Sequence, residues 1–227
     1  MVSEDGRITG RVPTRLDRYP AKMVTHLAER LVSKYATGCT NLLDPFCGSG
    51  AILAAGARHG FHVTGFDVNP YATLLASVKL NGFDPDDARR LHKEVVGLAQ
   101  ICHRGLPISW DSKEYWFSPE TIDKYERIRY AAKAIGLNRS RSGKAVLLAL
   151  ALSVRLCSRA DQRSPKPFIS KRAKRERVGR HFDPYRCTDT LLEELSLRYG
   201  GKKANASARV LRVDLAEATA SPDVRGG

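Results

Sequence analysis

Three observations predict an α/β fold with a parallel sheet and a large helical insertion. The apolar run Asn41-Leu42-Leu43 leads into the small-residue turn Asp44-Pro45-Phe46-Cys47-Gly48-Ser49-Gly50, and the helical stretch Ala51-Ile52-Leu53-Ala54-Ala55 follows. A second strand pattern, Phe61-His62-Val63-Thr64-Gly65-Phe66, stops at Asp67-Val68-Asn69-Pro70 and is again followed by helical spacing. The alternation lapses over residues 84–205, where helical patterns replace it, and a strand returns at 208–214. Strand–helix alternation is the signature of parallel strands joined by helical crossovers. The block between the second and third strands therefore reads as an insertion.

In chain order, residues 1–17 are polar and Arg-rich and form a basic arm. Val24, Leu27, Ala28, Leu31, Val32 and Tyr35 recur at the spacing of one helical face, which predicts a helix over 22–35 that Thr37-Gly38 ends. The helix after the glycine turn ends at Gly60. The next begins at Asn69-Pro70, carries Leu74, Leu75, Val78 and Leu80, and stops at Asn81-Gly82. Within the insertion, helices are expected over 87–102, 118–135 and 143–157, and the apolar run 145–154 should make the last a buried core helix. A short helix over 191–199 and a turn at Gly200-Gly201 precede the third strand. The expected organisation is thus a basic arm (1–17), an α/β part (18–83), a basic helical insertion (84–205) and the end of the α/β part (206–227).

The 227 residues carry a formal net charge of +14 and a pI near 9.8, which points to a polyanionic partner, nucleic acid first, without choosing between DNA and RNA. Much of the charge lies in one stretch. Arg155, Arg159, Arg163, Lys166, Lys171, Arg172, Lys174, Arg175, Arg177, Arg180 and Arg186 crowd it, with Asp161, Glu176 and Asp183 the acids among them. Such a run can neutralise several phosphates, although a charge run can also be a solvated face. The five cysteines contain no Cys-x-x-Cys pair, so a disulfide framework or a metal site is not expected and a reducing cytoplasm suits them. No apolar run approaches the roughly 20 residues of a membrane span.

The turn at 44–50 is the candidate ligand site. Gly48 and Gly50 allow backbone angles and a close approach that a Cβ would forbid, and the turn lies at the carboxyl end of a strand and the start of a helix, where open α/β sheets bind nucleotides. Cys47 there reads as a small packing residue. Asp67, at the tip of the second strand roughly 20 residues on, is placed to accept hydrogen bonds from ribose hydroxyls. It can equally cap the helix that Pro70 begins. Lys22 can be a solvated charge or a ligand contact, and Asp214 can cap a helix or face a ligand.

Asp-Pro-Phe-Cys-Gly-Ser-Gly (44–50) with Gly-Phe-Asp-Val-Asn-Pro (65–70) resembles the first two motifs of S-adenosylmethionine-dependent DNA amino-methyltransferases, which methylate adenine N6 or cytosine N4. The preceding Tyr19-Pro20-Ala21-Lys22 resembles the segment that in this family contacts the methionine end of the cofactor. The resemblance implies a Rossmann-like class I methyltransferase sheet, S-adenosylmethionine as cofactor and DNA as substrate, in a setting of restriction–modification, phage defence or regulation. It also implies cofactor contacts from Tyr19, Pro20, Ala21, Lys22, Asp44, Pro45, Phe46, Cys47, Gly48, Ser49, Gly50, Asp67, Val68 and Asn69. Asp214, with the residues after it, resembles the third motif, which meets the adenine ring. Ala51 stands where the family usually has Thr, with a small expected loss of hydrogen bonding. More loosely, Trp116-Phe117-Ser118-Pro119-Glu120 and Ser158-Arg159-Ala160-Asp161 resemble an insertion found in some of these enzymes.

The family's catalytic motif, Asp, Asn or Ser followed by Pro-Pro and an aromatic, does not occur in this sequence. Ser164-Pro165-Lys166-Pro167 lacks adjacent prolines, and Ser221-Pro222-Asp223 lacks the second proline and the aromatic. No catalytic residue is therefore assigned. The sheet is expected to be incomplete, and a complementary subunit is expected to supply the catalytic motif and the remaining strands. A truncated or degenerate enzyme, a non-catalytic nucleic-acid-binding protein on the same fold and an RNA methyltransferase are the other readings.

Overall fold

The computed structural model describes residues 23–162, 168–171, 182–202 and 208–214. These fall into two compact units, one of residues 23–83 with 201–214 and one of residues 84–200.

The first unit is α/β. Helix α1 (Thr25–Tyr35) precedes strand β1 (Asn41–Asp44), helix α2 (Ala51–Arg58), strand β2 (His62–Asp67) and helix α3 (Pro70–Asn81), and the chain returns as strand β3 (Ala208–Arg212). The three strands are parallel in the order β1-β2-β3, with Asp44 opposite Gly65 and Asp67 opposite Arg212. Strand β2 is central and buries Val63 and Phe66, whereas β1 alternates between exposed and half-buried. Among the described residues nothing pairs with the outer edge of β1.

The core grows from small side chains that let helices approach the sheet. Leu53 of α2, Val63 of β2, Leu80 of α3 and Cys47 form one cluster, with Ala208 and Val210 of β3 against it. A second cluster joins Ala28 and Val32 of α1 to Ala55 of α2. Each fully buried Leu or Val contributes roughly 1.5–3 kcal/mol. Gly65 lies where a Cβ would overlap Leu53 and Cys47, so this bare stretch of β2 lets the turn after β1 settle on the sheet.

The second unit is helical: α4 (Pro85–Ile101), α5 (Lys113–Trp116), α6 (Pro119–Ile135), a 3-10 turn (Leu137–Arg139), α7 (Arg141–Cys157) and α8 (Pro184–Tyr199). Cap–proline pairs start α4, α6 and α8 here, as one starts α3 in the first unit. Asp84 caps Asp86 and Asp87, Ser118 caps Thr121, Asp183 caps Tyr185 and Arg186, and Asn69 caps Tyr71. A cap side chain satisfies orphan N–H groups, and proline at the first helical position has none to satisfy.

Three expectations are corrected here. Helix α8 begins at Pro184, not at 191, because Asp183-Pro184 nucleates it. The cap of α3 is Asn69, not Asp67. Helix α7 is not buried all round: Ala145, Val146, Leu148 and Ala149 are buried, but Val154 is 40% exposed. Its Leu147, Leu150 and Val154 instead line an apolar pocket of about 300 Å³ with Trp110 and Phe117.

His92 of α4 is buried, with Nδ1 3.5 Å from Asp189 of α8 and Nε2 without a hydrogen-bond partner among the described residues. Burial holds its pKa below the ordinary value of 6.5, and the Asp189 carboxylate opposes that only in part. The unfolded chain therefore takes up the proton first. The stability that neutral His92 permits is complete above about pH 6.5 and falls as pH drops toward the folded-state pKa. Urea unfolding between pH 7.5 and about 5 should show this loss, and His92→Leu should flatten it. An unchanged slope in the variant would assign the pH dependence to other groups.

Candidate functional site

The carboxyl ends of β1 and β2 and the turn between β1 and α2 form the site. Asp44 ends β1 and its Oδ1 accepts from Phe46 N at 3.1 Å, an Asx turn that starts the reversal. Cys47 N then donates to Phe66 O at 2.8 Å, which ties the turn to β2. Gly48 and Gly50 follow in the left-handed region, with φ of 50° and 72°. A Cβ at Gly50 would press on Ala76 of α3. The turn is thus a close-fitted backbone saddle whose last residue opens α2.

Asp67 organises this saddle from the neighbouring strand. Its Oδ2 accepts from Gly48 N at 2.8 Å and its Oδ1 from Asn69 N at 2.8 Å. Each carboxylate oxygen keeps acceptor capacity for a ligand hydroxyl. Phe46, 77% exposed, and Val68, 59% exposed, stand beside these polar groups. Large apolar side chains so exposed next to an anchored carboxylate suit a ligand with a flat apolar part and hydroxyls. At the end of β3, Val213 N donates to Asp67 O at 3.2 Å and Arg212 Nε to Val68 O at 3.3 Å. Asp214 is exposed one residue beyond Val213.

Charge decides what the saddle accepts. A glycine turn at a helix start ordinarily attracts phosphate. Here burial and the nearby Asp67 carboxylate raise the pKa of Asp44, with the Phe46 N–H bond opposing them. Two carboxylates this close disfavour an anion and favour a cation or a neutral, hydroxyl-bearing group.

Cys47 is buried, and burial, then the charges of Asp44 and Asp67, push its thiol up to about 12. A thiol so protonated is neither nucleophile nor metal ligand at neutral pH. In the folded chain at pH 8, iodoacetamide should modify the exposed Cys39 and spare Cys47, read by peptide mass mapping. Equal modification of both would overturn this environment for Cys47. Among the described residues no cluster of His, Cys, Asp or Glu could hold a metal ion.

Of the expected cofactor residues, the structure brings together Asp44, Pro45, Phe46, Cys47, Gly48, Ser49, Gly50, Asp67, Val68 and Asn69, while Tyr19, Pro20, Ala21 and Lys22 lie outside the described residues. Of the basic residues, Lys171 is exposed, and Arg163, Lys166, Arg172, Lys174, Arg175 and Arg177 lie outside the described residues. Arg159 is partly committed within the protein. Its Nη1 donates to Glu114 O at 2.8 Å and Tyr115 O at 3.3 Å, so it holds α5 in place. Sequence reasoning missed Lys79, whose Nζ donates to Ser49 O at 2.9 Å and braces the turn from the last turn of α3. Neither it nor Arg212 carried a signal, since a lone cation in a helix or strand looks the same whatever it reaches.

The fold and site define a parallel α/β sheet with a carboxylate-braced glycine saddle, and the chain is similar to type II methyltransferases. It is 29% identical over 134 residues to the type II methyltransferase M.MvaI of Kocuria varians, covering 53% of this chain and 29% of that protein. It is 29% identical over 109 residues to the type II methyltransferase M.MjaII of Methanocaldococcus jannaschii, covering 48% of this chain and 20% of that protein. The chain therefore spans less than a third of the length of either curated relative. The resemblance to methyltransferases expected from the motifs is thus found in two relatives. No family model and no solved structure matches the chain.

Proposed function

We propose that this chain is the cofactor-binding part of a DNA amino-methyltransferase, with a Rossmann-like sheet, that transfers a methyl group from S-adenosylmethionine to adenine N6 or cytosine N4. The observation that carries this reading is the bracing of the Gly48 saddle by Asp67. It leaves carboxylate acceptors for the ribose hydroxyls, with Phe46 and Val68 alongside for the adenine ring. The paired carboxylates suit the cationic sulfonium. Asp44, the turn through Gly50, Asn69 and Asp214 are the other proposed cofactor contacts among the described residues, and Tyr19, Pro20, Ala21 and Lys22 are proposed for the methionine end.

No catalytic residue is assigned to this chain. A complementary subunit supplies the catalytic motif and the remaining strands, which add to the edge of β1 that no described strand pairs with. An edge strand whose residues alternate between exposed and half-buried, with Leu43 exposed, is one that proteins ordinarily cover. Restriction–modification is the setting that the relatives' type II designation favours. DNA backbone contact is the proposed role of Arg163, Lys166, Lys171, Arg172, Lys174, Arg175 and Arg177, with Arg159 bracing. The free cysteines suit a reducing cytoplasm, and no helix among the described residues is long and apolar enough to cross a membrane.

Calorimetry tests the reading: S-adenosylmethionine is titrated into this chain alone and with the polypeptide encoded beside it. Binding that appears or tightens with the second chain supports a shared site. No binding in either condition favours the alternative suggested by the +14 charge, a nucleic-acid-binding protein on a methyltransferase-like fold. With cofactor bound, methylation assays on DNA and on tRNA separate the DNA from the RNA enzyme.

A further inference from the structure

In the helical unit, three large aromatic side chains among the described residues are strongly exposed: Trp110 at 48%, Tyr115 at 59% and Phe168 at 47%. They come from two stretches of chain far apart in sequence, yet one turn, Ser158-Arg159-Ala160-Asp161, stitches them into one neighbourhood. Arg159 N donates to Trp116 O at 2.7 Å, and its Nη1 donates to the carbonyls of Glu114 and Tyr115. Asp161 N donates to Phe168 O at 2.8 Å, and Asp161 Oδ2 accepts from Ser170 Oγ at 2.6 Å. On the other side, Lys113 N donates to Trp110 O at 3.3 Å. Trp110 meets Phe117 edge-on with centroids 6.4 Å apart, and Tyr115 meets Trp116 at 5.1 Å and 87°.

Exposed aromatics usually scatter, and a stitched group of them marks a binding surface. Its surroundings identify the occupant. Arg159 and Lys171, both exposed, belong to the same turn and its flank, within a chain of charge +14. Aromatic faces interleaved with cations are how proteins hold nucleic-acid strands whose bases are not paired, because every base offers a π-face and every phosphate a charge. An apolar protein partner would be repelled by nothing here, but neither would it use the cations.

We propose that Trp110, Tyr115 and Phe168, held by the Ser158–Asp161 turn, form a stacking surface for unpaired bases of a nucleic-acid strand. The surface extends the nucleic-acid reading above and rests on it. It belongs to the helical unit, and Arg159 serves it as a positioning residue.

The only two tryptophans of the chain, Trp110 and Trp116, lie in this neighbourhood, so intrinsic fluorescence reports on it directly. The test titrates the whole chain with a short single-stranded oligonucleotide and with an abasic analogue carrying the same phosphates. Stacking predicts quenching by the base-containing strand alone and binding about tenfold tighter than to the abasic strand. Tyr115→Ala and Phe168→Ala should each weaken binding of the base-containing strand by about tenfold and leave its salt dependence unchanged. Lys171→Gln should instead lower the slope of log affinity against log salt by about one. Equal affinity for the two strands, without quenching, overturns the stacking surface and leaves the nucleic-acid reading standing. No binding to either strand overturns both.

Discussion

Replacing Asp67 with alanine is expected to weaken S-adenosylmethionine binding by at least about a hundredfold, roughly 2.8 kcal/mol. The side chain acts in two ways. It accepts from Gly48 N and Asn69 N, which fixes the saddle and the entry into α3, and it offers the remaining lone pairs to the ligand. Hydrogen bonds to a charged acceptor contribute about 1.5–3 kcal/mol each, less where solvent reaches them, so losing two anchors and the ligand contact accounts for the effect. Asp67→Asn separates the two functions. One amide oxygen can still serve one N–H, so the variant should fold more stably than the alanine variant and still bind weakly. Calorimetry on both variants decides the matter, and wild-type affinity in Asp67→Ala would remove Asp67 from the site.

Gly143→Ala should be the most damaging single methyl group in the helical unit. A Cβ there would overlap the Leu137 carbonyl, which is backbone and cannot swing aside, and Gly143 N is held by the Ser140 cap at 2.9 Å. Overpacking against a fixed group costs about 3 kcal/mol, a fall on the order of 10 °C in the unfolding midpoint of a domain this size. Gly97→Ala is the matched control. It lies in α4 with nothing within 4 Å of its would-be Cβ, so the better helix former should stabilise by up to about 1 kcal/mol. Thermal melts followed by circular dichroism should move in opposite directions. A harmless Gly143→Ala would mean that the 3-10 turn before α7 can yield to the added methyl group.

What was legible in the sequence was local. The turn 44–50 and the tip of β2 could be read because every residue of each lies within a few positions of the next, so spacing alone carries the geometry. Helix α3 was legible from its Asn69-Pro70 start and its Gly82 stop. The same kind of start, Asp183-Pro184, is hidden in the sequence because the surrounding arginines and lysines obscure the apolar period until Leu191. The open face of α7 was not legible, since an apolar run says which side chains avoid water and not which neighbours arrive to cover them. Arg159 shows the same limit from the polar side. Its charge suggested a phosphate, and only the fold reveals that the carbonyls of Glu114 and Tyr115, some 45 positions away, take one of its amino groups.

The two carboxylates of the saddle also bear on how a reaction cycle would end. While a sulfonium lies nearby, its positive charge offsets the burial and, as a smaller contribution, the Asp67 charge that together raise the Asp44 pKa. Once the methyl group has left, the sulfur is a neutral thioether and that offset is gone. On the proposed reading, the same pair that draws the charged cofactor in then holds the spent one less firmly, so exchange of S-adenosylhomocysteine for fresh cofactor is favoured by the charge lost in the reaction itself.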